Sequence, residues 1–412
     1  MTGEKRRVAV VGEGIVSSLG HTPEDAYARL KVLRNCVEAS DELATYKGLH
    51  TCLWAPCGYR RPPEYTRKTV RSMSPVSEMA LFATERALED AGLKGDEATI
   101  RGGRLGIAYG SCSGGVEANL DFASILVSHE VKNVTSSTYL KMMPQTAAVN
   151  LSVHFGTTGR LLPTGTACTS GSLAIGEAYE AIAYGMQDVM IAGGAEEFSV
   201  TQVAVFDTLF ATSCKNDAPS STPCAFDRSR TGLVIGDGAA TLILEEMEHA
   251  RARGARIIAE VVGFGMNTDG RHVTQPNADT MARALSLALE DAALPPSAIG
   301  YVNAHGTATT LGDIAEGTAM QAVFGAGKVP VSTIKNYIGH TLGACGAIEA
   351  IMTVHMLRDG WFAPNLNLVE PDERCGENDF IMGEGRSLDV EFAMSNNFAF
   401  GGVNTSLVFR RP

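Results

Sequence analysis

Short apolar runs alternate with longer amphipathic segments along almost the whole chain. In the amphipathic segments the apolar residues recur every three or four positions, which is the period of a helix that packs on one side. This alternation predicts an α/β chain whose mixed sheets are covered by helices. The predicted strands occupy residues 8–11, 105–108, 189–192, 240–244, 257–262, 301–303, 329–332, 392–394 and 405–409. The predicted helices occupy residues 75–91, 172–184, 279–292, 312–324 and 347–357.

The pattern indicates a boundary between two halves near residue 250, where a polar helical segment around 248–251 ends at Gly254. Beyond it the chain repeats its opening order of strand, glycine turn, loop and long helix. The sequences VVGEG at 10–14 and VVGFG at 261–265 stand at equivalent places in the two orders. We therefore predict two related halves, residues 1–250 and residues 251–412.

The composition favours a globular protein and argues against nucleic-acid-binding and membrane-spanning proteins. Of the 412 residues, 45% are hydrophobic and 19% are charged, which is typical of a globular protein with a large buried core. The net charge of -12 argues against a nucleic-acid surface, which needs clustered positive charge. We find no apolar run of transmembrane length and no signal-peptide pattern, so we expect a cytoplasmic protein without membrane insertion.

Two familiar cofactor signals are incomplete. The nine cysteines are scattered and none has the spacing of zinc ligands. Gly12 and Gly14 resemble the start of a dinucleotide fingerprint, but Ser17 stands at the place of its third glycine. We therefore reject a nicotinamide cofactor.

Cys168 is the leading candidate for a catalytic nucleophile. It lies among very small residues, in the segment TGTACTSGS at 164–172, directly before a predicted helix. Unpaired N–H groups and the positive end of a helix dipole favour a thiolate at such a place. Most cysteines of this chain are expected to be packing residues, but these surroundings favour catalysis at Cys168.

Two histidines in glycine-rich turns are candidate partners of this cysteine. His305 and His340 both follow predicted strands, where α/β sheets present their functional loops. Lys335 lies between a strand and the glycine loop of His340, so we expect it to be buried against an acid, with Asp313 and Glu316 as candidates. One cysteine with two histidines indicates acyl transfer through a thioester.

A last motif, SNNFAFGGVN at 395–404, carries Phe398 and Phe400 ahead of paired glycines. The two rings fit a strand end that packs into the core. They fit equally well a mobile aromatic gate over a pocket.

With these motifs the chain resembles the β-ketoacyl-[acyl carrier protein] synthases of types I and II, which are condensing enzymes of the thiolase superfamily. The resemblance extends from Val8 to Phe409 and includes AGGAE at 192–196, FDxxRxG at 226–232, GDGA at 236–239 and PD at 371–372. It implies a thiolase-like fold, in which two related αβαβα halves form a five-layered core, and a homodimer.

The resemblance also implies a decarboxylative Claisen condensation. Cys168 would take an acyl chain as a thioester, in an oxyanion hole made by the backbone N–H groups of Cys168 and Phe400. His305 and His340 would hold the thioester oxygen of malonyl-[acyl carrier protein]. The products would be 3-oxoacyl-[acyl carrier protein] and CO₂, as in fatty acid elongation.

Supporting roles follow from the same resemblance. Lys335, paired with Glu316, would orient the histidine loop and keep His305 neutral. No catalytic metal or cofactor is expected, because the acyl and malonyl groups arrive on the phosphopantetheine of acyl carrier protein. Asn303, Glu349 and Asn396 match positions that hold a structural monovalent cation in some members, or they form a plain buried polar network.

Substrate contacts are implied as well. Thr307 and Thr309 match positions that hydrogen-bond the phosphopantetheine arm, Ser113 matches a position in the acyl pocket, and Phe398 and Gly401 belong to the gating loop. Basic residues would dock the acidic carrier protein. They are Arg67, Lys68, Arg71 and Lys215.

Departures from the family pattern leave the pathway open. Ser72 replaces a basic docking residue, and Ala399 and Val403 replace a glycine and a threonine of the gating loop. The change at Ser72 fits weaker docking or a particular carrier protein. The gating-loop changes, the small polar Ser113 in the acyl pocket and a short loop after His272 fit a dedicated polyene, polyketide or modified fatty acid pathway as an alternative to housekeeping elongation.

Three related classes compete with an elongating synthase. A chain-length-factor-like partner subunit would lack the nucleophile that this chain keeps in Cys168. A thiolase would need a second catalytic cysteine in its own glycine-rich motif, and Cys345 lacks those surroundings. A starter synthase of type III would use Cys-His-Asn, which two histidines and Lys335 argue against.

Overall fold

A computed structural model describes residues 5–132 and 134–412 of the chain. Helices pack on both faces of an 11-stranded mixed sheet, with two small sheets beside it. The strands are β1 (Val8–Val16), β2 (Glu38–Ala39), β3 (Leu53–Ala55), β4 (Leu105–Gly110), β5 (Leu161–Thr164), β6 (Val189–Glu196), β7 (Ile235–Gly236), β8 (Gly238–Glu246), β9 (Ala259–Thr268), β10 (Ile299–Asn303), β11 (Pro330–Ser332), β12 (Trp361–Phe362), β13 (Asp379–Phe380), β14 (Arg386–Ser387), β15 (Phe392–Phe398) and β16 (Val403–Arg410). The helices are α1 (Pro23–Leu30), α2 (Pro75–Asp90), α3 (Glu97–Arg101), α4 (Val116–Ser128), α5 (Ser136–Met142), α6 (Thr146–Phe155), α7 (Ser170–Ala183), α8 (Val200–Asp207), α9 (Met247–Ala252), α10 (Ala278–Ala292), α11 (Thr310–Phe324), α12 (Lys335–Ile338) and α13 (Cys345–Asp359).

Each strand and helix predicted from the apolar pattern overlaps an observed element of the same type. Most observed strands are longer than predicted, because strands that are buried on both faces continue through glycines and polar residues, whereas β11 begins one residue later than predicted. In β1, for example, the glycines and Glu13 are buried like their apolar neighbours. None of the helices in the described parts of the chain has the length and apolarity needed to span a bilayer.

The order of strands in the large sheet repeats itself. From its centre, one half runs β1, β8, β6, β4 and β5, and the other runs β9, β16, β15, β10 and β11. In both halves the first two pairings are antiparallel and the next two are parallel. The halves join where β1 pairs antiparallel with β9, with Val8 opposite Val261.

The helices complete five layers. Outer helices α2 and α6 cover the first half of the sheet, and α10 and α11 cover the second. Between the halves, α7 and α13 pack on each other and on strands of both. The expected thiolase-like α/β arrangement is therefore confirmed. The division at residue 250 stays a prediction, and residue 250 itself lies within α9.

The two glycine motifs hold the same place in their halves. A Cβ atom on Gly14 of β1 would lie 2.0 Å from the carbonyl oxygen of Ala83 in α2, and one on Gly265 of β9 would lie 2.2 Å from that of Ala284 in α10. Both glycines therefore permit a strand and the helix that covers it to approach more closely than a side chain allows.

Gly14→Ala and Gly265→Ala are expected to destabilise the protein to a similar extent, on the order of 1–3 kcal/mol each, because the backbone must move apart in both places. Chemical denaturation of each variant measures this loss. Val32→Ala, at a position that is 58% exposed, is the control and is expected to unfold like the unchanged protein. An unaltered midpoint in either glycine variant would contradict the close packing.

Candidate active site

Cys168 lies in a tight turn between β5 and α7. The turn is a single 3₁₀ segment, Ala167–Thr169, and Ala167 adopts a left-handed backbone with φ of 51°. The Ser170 side chain fixes it, because its Oγ accepts from the Thr166 N–H at 2.9 Å and donates to the Ala167 carbonyl at 2.7 Å. The cysteine is thereby presented at the start of α7, as the sequence predicted.

Burial opposes the thiolate that the helix terminus favours at Cys168. Burial raises the pKa of Cys168 to about 11, although Lys335 and the backbone N–H groups of Phe400 and Cys168 act in the opposite direction. The removal of water from the sulfur therefore outweighs the positive groups around it. The raised pKa favours a thiol at neutral pH.

His340 faces the sulfur directly, with Nε2 3.0 Å from Sγ of Cys168. The backbone N–H of Leu342 donates to Nδ1 of His340 at 3.2 Å. Burial, and next Lys335, lower the pKa of His340 well below its usual value, so the ring is neutral. Because Nδ1 accepts a hydrogen bond, the single ring proton resides on Nε2 and points at the sulfur.

His305 is held in the same tautomer by different groups. Its Nδ1 lies 3.1 Å from Nζ of Lys335 and 3.3 Å from Nδ2 of Asn397, which are both donors. Burial, then Lys335 and His340, lower the pKa of His305 well below its usual value. The two imidazole planes meet at 87°, and Sγ of Cys168 and a ring nitrogen of each histidine lie within 4.8 Å of one another.

The predicted pairing of Lys335 with Glu316 is wrong. Nζ of Lys335 bonds to the carboxylate of Glu349, which also accepts from Nδ2 of Asn397 at 2.7 Å. Burial lowers the pKa of Lys335, but Glu349 more than offsets this and leaves the pKa above its usual value. Lys335 is therefore an ammonium group with 1% of its surface exposed.

Glu316 instead positions the turn that carries His305. Its two carboxylate oxygens accept the backbone N–H groups of His305 and Gly306, both at 2.7 Å. Burial raises the pKa of Glu316 to about 8. Asp313, the other candidate acid, accepts the N–H of Phe226 at 2.7 Å and faces Arg230 at 3.4 Å. Both acids thus bind the loop and not the lysine, because α11 begins directly beneath that loop.

A cavity of about 410 Å³ leads from the surface to the cysteine and both histidines. Thr307 and Thr309 line it, with their hydroxyl oxygens 2.9 Å apart, and Phe398 and Phe400 line it as well. The Phe400 ring lies 5.0 Å from that of Phe206.

Ser113 and Gly401, which the resemblance assigns to substrate binding, are not among the described residues that line this cavity. The Ser113 hydroxyl accepts from Nε2 of Gln202 at 3.4 Å, and its backbone N–H donates to the carboxylate of Glu196 at 3.2 Å. Gly401 is exposed, and its N–H donates to the carbonyl of Val273 at 2.8 Å, which turns this residue outward.

The predicted carrier-protein residues differ in exposure. Arg67, Lys68 and Arg71 are exposed in the segment before α2. Lys215 is half-buried, and its Nζ lies 3.9 Å from Sγ of Cys224. The first three remain available to an acidic partner, whereas Lys215 already has a contact within the chain.

The three residues of the predicted cation site are buried, and of these Glu349 contacts Lys335. Nδ2 of Asn303 lies 3.2 Å from the Ser395 hydroxyl, and Oδ1 of Asn396 accepts from the Ser406 hydroxyl at 2.8 Å. Glu349, the third member, bonds to Lys335 and Asn397. The polar-network interpretation describes these contacts, and a cation there stays a prediction.

Sequence reasoning missed Asn397 and the lysine-binding role of Glu349. A signal for Glu349 was present, because it is a carboxylate among apolar residues of a helix, and a buried charge needs a partner. Asn397 carried no comparable signal, since its role depends on the pairing of β15 next to the histidine loop.

Comparisons with known proteins agree with this geometry. The N-terminal domain model of the β-ketoacyl synthases matches residues 5–250, and the C-terminal domain model matches residues 258–369. A crystal structure of a β-ketoacyl synthase from Burkholderia phymatum STM815 superimposes with a TM-score of 0.97, at 55% identity over 99% of this chain and 100% of that one. The 3-oxoacyl-[acyl-carrier-protein] synthase 2 of Vibrio cholerae is 39% identical over 99% of both chains.

A third relative is a ketosynthase solved in complex with its type II polyketide acyl-carrier protein. It is 28% identical, with a TM-score of 0.86 over 99% of this chain and 100% of that one. Two family models together span most of the sequence, and the relatives match over their whole length. The arrangement of one cysteine with two neutral histidines agrees with them. The chain belongs to the β-ketoacyl synthase family.

Proposed function

We propose that this chain is an acyltransferase that condenses an acyl thioester on Cys168 with malonyl-[acyl carrier protein], giving 3-oxoacyl-[acyl carrier protein] and CO₂ in fatty acid elongation. The observation that carries the proposal is the pair of neutral histidines beside the cysteine. Both rings keep Nδ1 as an acceptor, so both present Nε2–H to the space around the sulfur.

The first step is acyl transfer to the enzyme. The sulfur of Cys168 attacks the carbonyl carbon of the incoming thioester, and the bond to the phosphopantetheine sulfur breaks. The proton of the thiol passes to that departing sulfur, so charge balances. The backbone N–H groups of Cys168 and Phe400 hydrogen-bond to Sγ in the free enzyme. In the reaction they would stabilise the negative charge that develops on the carbonyl oxygen.

The second step is decarboxylation. The bond between the malonyl carboxylate and its neighbouring carbon breaks, CO₂ leaves, and the electron pair forms an enolate on the thioester. Nε2–H groups of His305 and His340 donate to the enolate oxygen. Each well-aimed donor is worth about 3 kcal/mol toward such an oxyanion, which corresponds to roughly a hundredfold in rate.

Condensation then completes the cycle. The enolate carbon attacks the acyl carbonyl on Cys168, a carbon–carbon bond forms, and the sulfur leaves as a thiolate. The raised pKa of the free cysteine means that this thiolate takes up a proton from solvent water, which balances the reaction and restores the thiol. The proposed reaction needs the two thioesters and these side chains, with no further cofactor.

Partners follow from the proposed reaction and from the surface. Acyl carrier protein would deliver both thioesters, with Thr307 and Thr309 along the path of its phosphopantetheine and the exposed basic residues before α2 at its docking surface. A second copy of the chain would cover the apolar side chains near the end of α4, where Leu126 and Val127 are 79% and 83% exposed. We place the enzyme in the cytoplasm.

A synthase of a dedicated polyene or polyketide pathway is the second candidate. The altered gating loop, with Ala399 and Val403, favours it, as does the relative that acts with a type II polyketide carrier protein. Both candidates use the same chemistry and differ in the acyl chain. A chain-length-factor-like partner role is disfavoured, because Cys168 and both histidines are present in working geometry.

Cys168→Gln is expected to abolish condensation and to leave malonyl decarboxylation measurable, because the sulfur is lost while both histidine donors remain. Product analysis and release of labelled CO₂ from malonyl-[acyl carrier protein] separate the two steps. Cys214→Ser, at an exposed cysteine, is the matched control. Condensation by Cys168→Gln would exclude Cys168 as the nucleophile.

In the same assay, His340→Ala is expected to slow CO₂ release by about a hundredfold, because one of the two enolate donors is removed. His129→Asn, an exposed position with a left-handed backbone, serves as the histidine control. Unchanged CO₂ release in His340→Ala would remove this residue from enolate binding.

Glu349→Gln is expected to move the alkaline limb of CO₂ release to lower pH. Glu349 holds the pKa of Lys335 above its usual value, so without that charge burial dominates and the ammonium loses its proton sooner. Nδ1 of His305 then loses its charged donor. A pH profile of Glu349→Gln measures the shift, and an alkaline limb at the original pH would contradict the role of the Lys335–Glu349 pair.

A further inference from the structure

Glu196, the last residue of β6, is a fully buried carboxylate that takes no part in the reaction proposed above. Its Oε2 accepts the backbone N–H groups of Cys112 at 2.7 Å and of Gly343 at 3.2 Å. Its Oε1 accepts the backbone N–H of Ser113 and the hydroxyl of Ser111, both at 3.2 Å. One carboxylate thus joins the loop after β4 to the turn before α13.

The turn before α13 is the 3₁₀ segment Leu342–Ala344, and its backbone needs support. Leu342 has a left-handed backbone with φ of 47°, which is uncommon for a leucine and costs free energy. The N–H of this residue is the group that donates to Nδ1 of His340 at 3.2 Å. Glu196 bonds to the next N–H along the chain, that of Gly343, where a Cβ atom would lie 2.7 Å from Oε2. The carboxylate therefore holds the residue directly beside the donor to the ring.

The turn that carries His305 is built in a similar way. Glu316 accepts two of its backbone N–H groups, and Ala308 within it is left-handed with φ of 61°. In that turn, however, Nδ1 of the histidine also faces the ammonium group of Lys335 at 3.1 Å. The donor to Nδ1 of His340 is a neutral backbone amide. The tautomer of His340 therefore depends more strongly on the exact position of its turn.

The environment of Glu196 makes its hydrogen bonds important. Burial raises the pKa of Glu196 to about 7, although the backbone N–H groups of Cys112, Ser113 and Gly343 act in the opposite direction. A buried carboxylate is costly unless donors surround it, and buried donors are equally costly without an acceptor. Removal of this side chain would leave the donors of both loops unpaired and free the turn to move.

We propose that Glu196 is a positioning residue for His340. By holding Gly343, the carboxylate fixes the Leu342 N–H against Nδ1. The ring proton of His340 then stays on Nε2, where it faces the sulfur of Cys168. This inference rests on the proposed function, in which that Nε2–H group donates to the enolate oxygen. Glu196 acts through the turn and not on the substrate.

Nitrogen-15 NMR of histidine-labelled Glu196→Ala tests the tautomer without any substrate, at about pH 8, where Glu196 of the unchanged protein is mostly ionised. We expect His340 to show a mixture of the Nδ1–H and Nε2–H forms, because its amide donor is no longer fixed. His305 is expected to keep its proton on Nε2, since Lys335 is still present.

Glu197→Ala is the matched control. Glu197 is the adjacent residue and is also a buried carboxylate, but it accepts backbone N–H groups at the starts of α2 and α4, at 3.0 and 2.7 Å. Its removal therefore costs similar hydrogen bonds at a different place. Both histidines are expected to give the signals of the unchanged protein.

The release of CO₂ from malonyl-[acyl carrier protein] measures the consequence for the reaction. Glu196→Ala is expected to lower kcat by about tenfold with little change in KM, because a donor that is aligned for part of the time loses only part of its effect. Glu197→Ala is expected to keep both constants. Glu196→Gln is expected to recover most of the lost rate, since its amide oxygen can still accept the Gly343 N–H.

Glu196→Asp replaces Glu196→Ala if the alanine variant does not fold, because its shorter side chain withdraws the carboxylate from Gly343. The inference alone would be overturned if His340 stayed entirely in the Nε2–H form, or if CO₂ release matched that of Glu197→Ala. A rate in Glu196→Gln as low as in Glu196→Ala would also overturn it. Failure of the unchanged protein to release CO₂ would overturn the proposed function instead.

Discussion

The candidate active site depends on one interaction, the buried ion pair between the ammonium group of Lys335 and the carboxylate of Glu349. It is enclosed by Glu349, Nδ1 of His305 and the polar network of β15, with almost no contact with water. A buried cation without a partner is costly, so Glu349 must remain ionised beside it. The lysine in turn fixes the tautomer of His305 and opposes its protonation. The Lys335–Glu349 ion pair thereby sets the tautomer and the charge of the His305 ring, for which we propose a catalytic role.

The duplicated fold explains how the parts of the site meet. The proposed nucleophile, Cys168, comes from the turn between β5 and α7 in the first half, and His305 and His340 come from the loops after β10 and β11 in the second. Strands β5 and β11 hold equivalent places in the two orders. Because α7 and α13 pack together at the centre, the loops at the ends of their strands converge. Glu349 and Cys168 are thus brought near the same lysine by the central helix pair.

Much of this arrangement was predictable from the sequence, because it depends on patterns among residues that are close together along the chain. Apolar periods predicted the strands and helices, and small residues around Cys168 and glycine turns around both histidines predicted the nucleophile and its partners. The ionisation state of Cys168 was not predictable, since the helix terminus is a local feature whereas the degree of burial is a property of the whole fold. The partner of Lys335 was missed for the same reason. Glu316 is near His305 in sequence, but the reach of Glu349 depends on how α13 packs.

The central claim is that two neutral imidazoles present Nε2–H to the substrate oxygen. Nitrogen-15 NMR of protein labelled at histidine reads tautomer and charge directly, with His305→Ala and His340→Ala used for assignment. We predict that both rings are neutral and carry their proton on Nε2 at all values between about pH 6 and 8, where an ordinary histidine changes charge. A protonated imidazolium, or a proton on Nδ1 of either ring, would contradict the account.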